Sequence, residues 1–521
     1  MSNKNQVIIR APEQQEYRNP EAILNPKEVR QWLDTLPILN PDPTVRQITE
    51  AIESINLQKI TAKKRNLILH EYWKTVLQTY PSLSTDALNR YSLKEEKRNQ
   101  LQVQTTRLCI ALADGYKIII RDALKDGSAA KNESIFLSLY HAMEALSLAT
   151  LNCYRTYKTT PKNLYQDIHQ IYLLSEHLGL LNHEMDNNYL NLSASSIGNM
   201  YRQIMTLAFL DPFHMPSGIA ERLYDRLSRY AEYCTILSRV PDQDSNEIFA
   251  VDLTTDEAPR AIYKISTHKN MQTPRLFDTH PLTNKIKAEV TVLQSETGAS
   301  NPTSEIQLLN RLIPPEKEKL TRKAERIDSD RSCKVTFGID AVYHFLTLSK
   351  QELTQVLESS ADNFGSYPLE PWTINNESKN GFSLTNQDTT RHDVRVGDLI
   401  GLLSESSSKG ESQGRIATIK WIQNDQDHHI NIGVELIHGN ILPAVCRLTE
   451  GSDANKIFSA IFISSDTLGS NPATLLTPKS IYRRGQVMEV TIADHPMKIA
   501  AGFLRDDTFT FDRFDFTSIK S

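Results

Sequence analysis

The sequence predicts a multidomain α+β protein: an N-terminal all-helical domain, then a small antiparallel β-barrel and additional C-terminal strands. Three observations predict it. The chain has 521 residues, a length that suggests roughly three domains. From about residue 60 to 238 apolar residues recur at threes and fours, the period of a helix with one buried face. After Arg331 the pattern changes to short alternating runs separated by turn residues, as a small barrel requires.

Residues 1–25 are polar, with Pro12 and Pro20, and read as an extended lead-in. The helical domain spans 26–240. Asn25-Pro26 opens it, because an Asn side chain caps free N–H groups and Pro suits the first helical position. Asp42-Pro43 repeats that signal. Ile135, Leu139, Ala142, Leu146, Ala149 and Cys153 form one apolar stripe. Thr160-Pro161 restarts the pattern, and the short link makes the next helix a neighbour of the first. Ile197, Met200, Ile204 and Leu207 mark a helix ended by Asp211-Pro212. Ile219, Leu223, Leu227, Tyr230 and Cys234 mark one opened by Ser217. No strict repeat of about 34 residues is present, which favours a bundle over a repeat scaffold.

Residues 241–314 form a mixed region. Phe249–Leu253 and Ile262–Ile265 read as a hairpin, and a helix from Ser304 to about 325 delivers Arg322 and Arg326. The barrel occupies 315–449, with strands at Lys334–Ile339, Leu399–Leu402, Arg415–Ile422 and Ile430–Leu436 and a helical insert at 340–362. Ile430, Ile432, Val434 and Leu436 alternate strictly, which puts one face on a core. Residues 450–521 are a C-terminal β extension. It looks too small for a core of its own and is expected to pair with the strands near 249–265.

Composition excludes several functions. The net charge of −5 disfavours DNA or a bare membrane surface as a partner. Five cysteines without a C-x-x-C pair support neither a zinc site nor a disulfide framework, so a reducing cytoplasm is expected. The N-terminus lacks the apolar run of a signal peptide, and no window suggests direct membrane insertion. No phosphate-binding glycine loop, G-x-S-x-G or H-E-x-x-H occurs. His70-Glu71 and His183-Glu184 lack the second His of a zinc protease, and His428-His429 reads as a surface turn. No catalytic residue, metal or cofactor is expected, and the protein reads as a non-enzyme.

Two short patterns remain. Arg322 and Arg326 form R-x-x-x-R. Asn376, Ser378 and Gly381 form N-x-S-x-x-G, set between a strand bearing Trp372 and Ile374 and a second strand, Phe382-Ser383-Leu384. Arginine makes bidentate bonds to phosphate or to a guanine edge and stacks on bases. Asn and Ser offer short polar groups, and Gly permits a sharp turn or a close backbone approach.

In this order, with a barrel-like run behind them, the two patterns resemble the PilZ domain, over about residues 315–449. The resemblance implies a PilZ-like small antiparallel β-barrel and a cytoplasmic bacterial receptor for cyclic di-GMP. It implies that Arg322, Arg326, Asn376, Ser378 and Gly381 hold the ligand. The helical domain would then engage a protein partner in motility, pili, adhesion or biofilm control. The insert lengthens the gap between Arg326 and Asn376 and leaves Arg331 as an alternative member of the arginine pair. A barrel that has lost nucleotide binding and acts as an interaction module is the alternative. RNA binding through exposed Phe382 and Trp421 is a third reading.

Overall fold

The computed structural model describes residues 7–16, 19–37, 40–90, 95–127, 134–185, 194–237, 248–262, 271–297, 304–314, 325–358, 363–364, 367–386, 394–405, 412–425, 429–449, 456–465 and 472–519. The chain divides into two compact units, Met1–Thr321 and Arg322–Ser521.

The first unit contains α1 (Pro26–Leu33), α2 (Pro41–Asn56), α3 (Ala62–Thr79), α4 (Thr85–Arg90), α5 (Glu95–Lys125), α6 (Ser134–Arg155), α7 (Leu164–His177), α8 (Ile197–Phe209) and α9 (Ile219–Tyr230). Asn25 caps α1, its side chain accepting from the Lys27 N–H. The second helix starts at Pro41, one residue before the expected Asp42-Pro43, and Asn40 precedes it without a side-chain cap. Gly218, at φ 81°, rather than Ser217, precedes α9. That helix ends at Tyr230, so Cys234 lies beyond it. A left-handed entry is least strained at a residue without a Cβ, which favours Gly218 over the serine signal.

Helix α6 packs against α5, α7, α8 and α9. Among the described residues it is the one helix long and apolar enough to cross a membrane by length and composition, with 78% of the apolar window buried inside the protein. A helix with neighbours on every side is apolar all round.

The strands β1 (Thr235–Leu237), β2 (Ile248–Asp252), β3 (Arg260–Ala261) and β4 (Pro274–Asp278) form one sheet in the order β1-β4-β2-β3. The hairpin expected after Phe249 is the β2–β3 pair; residues 263–265 lie outside the described residues. This sheet shares the apolar core of the helices. Phe249 stacks between Phe209 of α8, at 4.2 Å, and Phe277 of β4, at 4.7 Å. Helices α10 (His280–Thr297) and α11 (Ser304–Asn310) complete the unit. The predicted long helix from Ser304 to about 325 is corrected: it ends at Asn310, followed by a turn. Pro314-Pro315 removes two backbone donors, and neither residue can continue a helix without loss.

The second unit contains two closed barrels. Its strands are β5 (Ile327–Phe337), β6 (Asn363–Phe364), β7 (Tyr367–Pro368), β8 (Glu370–Ser378), β9 (Gly381–Asn386), β10 (Leu399–Glu405), β11 (Ser412–Asn424) and β12 (Ile430–Leu436), then β13 (Ile441–Leu448), β14 (Ile457–Ile463), β15 (Thr474–Pro478), β16 (Val487–Ile492), β17 (His495–Asp507) and β18 (Phe511–Ile519). The first barrel runs β10-β11-β12-β9-β8-β5 and closes through the β5–β10 pair. Its interior holds Val335, Ile374, Leu384, Leu402, Ala417, Ile419 and Ile432, all fully buried.

The insert between β5 and β8 is helical, as expected: α12 (Ile339–Thr347) and α13 (Lys350–Glu358). Ser349 and Glu352 cap α13 reciprocally, Ser349 N–H donating to the Glu352 carboxylate and Glu352 N–H to Ser349 Oγ. Phe345 of α12 lies across Gly401 of β10 and Gly414 of β11, where a Cβ at either position would come within 3.0 Å of its ring. The insert therefore docks on a bare patch of the barrel and leaves its strand ladder closed.

The C-terminal residues correct the expected pairing with the 249–265 strands. They form their own barrel, β13-β14-β15-β18-β17-β16, around Cys446, Leu475, Met488, Ile499 and Phe514. Closure removes the free edges that a three-strand extension would leave. Strand β13, grouped by sequence with the first barrel, pairs with β14 and β16 of the second. The barrels share a smaller cluster in which Val342, Leu399 and Ile416 meet Ile461, Ile463, Leu476 and Phe511. All five cysteines are free and buried, and burial pushes each thiol up to about 12. They are inert packing groups.

Candidate functional site

The N-x-S-x-x-G pattern is the β8–β9 hairpin. Ser378 and Gly381 face each other across a two-residue turn, Lys379-Asn380. Ser378 Oγ donates to the Gly381 carbonyl at 3.2 Å, and the Asn380 carbonyl accepts from the Leu436 N–H at 2.8 Å, so the turn is tied to the end of β12. Gly381 has a spatial cause. A Cβ there would lie 2.0 Å from the Val434 carbonyl oxygen. Gly381 thus allows a close approach to the barrel's own strand β12.

Register places a charged group at the mouth of the barrel beside this hairpin. Residues directly opposite in an antiparallel pair point to the same face. Arg415 faces Leu402, Arg331 faces Ile374, and Glu377 faces Phe382. Leu402, Ile374 and Phe382 are buried, so Arg415, Arg331 and Glu377 belong to the inward-facing set. Register shifts on β5 after Asp328 and on β8 after Ile374 mark bulges here, which re-aim side chains at a barrel rim. Arg331 is engaged: Nη2 donates to Glu377 at 2.5 Å, Nη1 to the Glu405 carbonyl at 2.7 Å and Nε to Ser329 at 3.1 Å.

A cavity of about 720 Å³ opens at this mouth, lined among others by Glu377, Ser378, Lys379, Gln413, Arg415 and His438. Its size falls within the roughly 300–1,000 Å³ usual for small-molecule sites. Glu325 and Ile327, which flank Arg326 in sequence, also line it.

The sequence-predicted residues divide as follows. Arg322 lies outside the described residues. Arg326 is exposed and sits in an extended segment immediately before β5, not on a helix. It neighbours Ile327, which pairs with Glu377. Asn376 is half-buried and pairs with Asp328 and Ser383. Ser378 lines the cavity. Phe382 is buried, contrary to the exposed-aromatic reading. Trp421 is half-buried and covers Gly433, where a Cβ would strike its indole nitrogen at 1.8 Å.

Arg415 was missed by sequence reasoning, although a signal existed. It stands in phase with Ala417 and Ile419, both fully buried, so a charge on that face is unexpected unless it serves a site. Burial holds its pKa below the ordinary guanidinium value; Glu377 opposes that shift and Arg331 adds to it. Among the described residues no cluster of His, Cys, Asp or Glu is suited to hold a metal ion.

Two family models match the chain, one within the helical unit and one running from the small sheet into the first barrel. Residues 27–242 match the family model for "Cyclic-di-GMP receptor FimW, N-terminal domain". Residues 248–367 and 354–443 match "Cyclic-di-GMP receptor FimW, middle PilZ domain". The Cyclic-di-GMP receptor FimW of Pseudomonas aeruginosa is 19% identical over 558 residues, covering 95% of this chain and 90% of that protein.

Proposed function

We propose that this chain, which belongs to the PilZ-domain family, is a non-catalytic receptor for cyclic di-GMP that binds its ligand at the mouth of the first barrel. The observation that carries this reading is the placement of the Asn376–Gly381 hairpin, whose Ser378 and Lys379 form part of the wall of the 720 Å³ cavity. Arg326 enters beside that wall on the segment leading into β5. Arg322 and Arg326 supply phosphate and guanine contacts, Asn376 and Ser378 supply short polar contacts, and Gly381 lets the hairpin close on β12. Arg322 is the first residue of the second unit. Ligand binding at the barrel alters how the helical unit engages a protein partner. The regulated process belongs to motility, pili, adhesion or biofilm control in the bacterial cytoplasm.

Calorimetric titration of the full chain with cyclic di-GMP tests this, with cyclic GMP and GTP as controls. Binding at micromolar or tighter affinity is expected for cyclic di-GMP alone. Arg326→Ala is expected to weaken it by about tenfold, the value of one hydrogen bond to a charged group. Ser378→Ala is expected to weaken it less, because part of its role is the bond to Gly381. Absence of binding by well-folded protein would favour a barrel that serves only as an interaction module.

A further inference from the structure

The two arginines at the barrel mouth are not equivalent. Arg331 directs its guanidinium into the protein, to Glu377, Glu405 and Ser329. Glu377 therefore serves Arg331 and turns that charge inward. Arg415 has no such partner: among the described residues its hydrogen bond goes to the neutral Gln413 amide oxygen at 2.6 Å, and no carboxylate lies within ion-pair range. Its guanidinium lies over the Phe382 ring, with Cζ 5.1 Å from the centroid, an arrangement that holds a cation in place with little loss of charge. It is half-buried and lines the same cavity as Ser378 and Lys379.

A guanidinium partly stripped of water, set over an aromatic ring and without an ion pair among the described residues is costly unless something completes it. A phosphodiester does so best, because the planar fork offers two parallel N–H donors to its two free oxygens. We propose that Arg415 is a further ligand-contacting residue of this site, which binds a phosphodiester group of the cyclic dinucleotide. This rests on the receptor reading given above. Phe382 lies under the guanidinium, and the neighbouring Glu377 carboxylate makes its ion pair with Arg331. Sequence order hides this role, since Arg415 lies 34 positions beyond Gly381 and reaches the hairpin only through barrel closure.

The test is calorimetry on the full chain carrying Arg415→Met or Arg415→Lys, beside the wild type and Arg326→Ala. Methionine keeps the apolar stem over Phe382 and removes the charge; lysine keeps the charge and removes the fork. Melting temperatures confirm that each variant is folded. Arg415→Met is expected to weaken cyclic di-GMP binding by about tenfold or more, and Arg415→Lys by an intermediate factor. Should wild type bind and a folded Arg415→Lys and Arg415→Met both stay within about twofold of it, the role assigned to Arg415 is overturned while the receptor reading stands. Should folded wild type fail to bind, the receptor reading falls and this role with it. A methionine variant that does not fold leaves the decision to the lysine variant.

Discussion

Gly381→Ala is expected to destabilise the first barrel by about 3 kcal/mol or more, the upper range for overpacking. The cause is backbone against backbone. The new Cβ would lie 2.0 Å from the Val434 oxygen and 3.1 Å from its carbonyl carbon, and neither atom can rotate away. Relief requires β9 to separate from β12, which breaks the register running from Gly381–Glu435 to Asn386–Ile430. Gly414→Ala is the control. Its Cβ meets the Phe345 ring at 3.0 Å, the end of a side chain that can shift, so a loss of about 1 kcal/mol is expected. Urea denaturation followed by tryptophan fluorescence measures both, since Trp372 and Trp421 lie in this barrel. Equal losses for the two variants would refute the steric account. In a receptor, Gly381→Ala should also abolish cyclic di-GMP binding, through the fold and not through a lost contact.

The second large effect concerns acid and the helical unit. His169 of α7 is fully buried. Its Nε2 faces the Glu257 carbonyl at 3.1 Å, so that nitrogen carries the proton, and its Nδ1 accepts from the Tyr201 hydroxyl at 2.8 Å. The neutral ring thus ties α7 to α8 and to the loop after β2. Burial lowers its pKa from 6.5 to about 4, against smaller opposing contributions from the Glu257 backbone, Asp256 and Asp252. The unfolded chain therefore binds a proton between about pH 6.5 and about pH 4 that the folded chain refuses. Stability is full above the unfolded value and falls as pH drops through this window. The accumulated loss is on the order of 3 kcal/mol. Urea midpoints of the wild type and His169→Gln at pH 7 and pH 4.5 measure it. The wild type should lose markedly more between the two pH values than the variant; identical losses would assign the acid sensitivity to other groups.

Local signals were legible where one stretch of chain carries its own cause. Asn25-Pro26 opens a helix as read, Ile135 to Cys153 lies in a helix, though one buried all round rather than on one stripe, and Ile430 to Leu436 is a strand whose burial alternates only in part. The insert was legible as helical, because its apolar residues keep the helical period. The helix expected to carry Arg326 ends at Asn310, ahead of Pro314-Pro315, and Arg326 lies just before β5; residues 315–324 lie outside the described residues. The tail was misread because its strands were counted one at a time. Thr474–Pro478 and His495–Asp507 were overlooked, and six strands close where three cannot.

The sequence by itself determined the division into a helical part and a β part, the Asn376–Gly381 hairpin and the family it resembles. These depend on period, turn chemistry and short spacing, all of which lie within a few residues of chain. The tertiary structure decided that Gly381 makes room for Val434, that Arg331 is held by Glu377, and that Arg415 shares a cavity with Ser378. An alternating strand shows which face a residue takes but not which strand lies beside it. Only barrel closure, which pairs β5 with β10 and β9 with β12, brings those distant residues to one mouth.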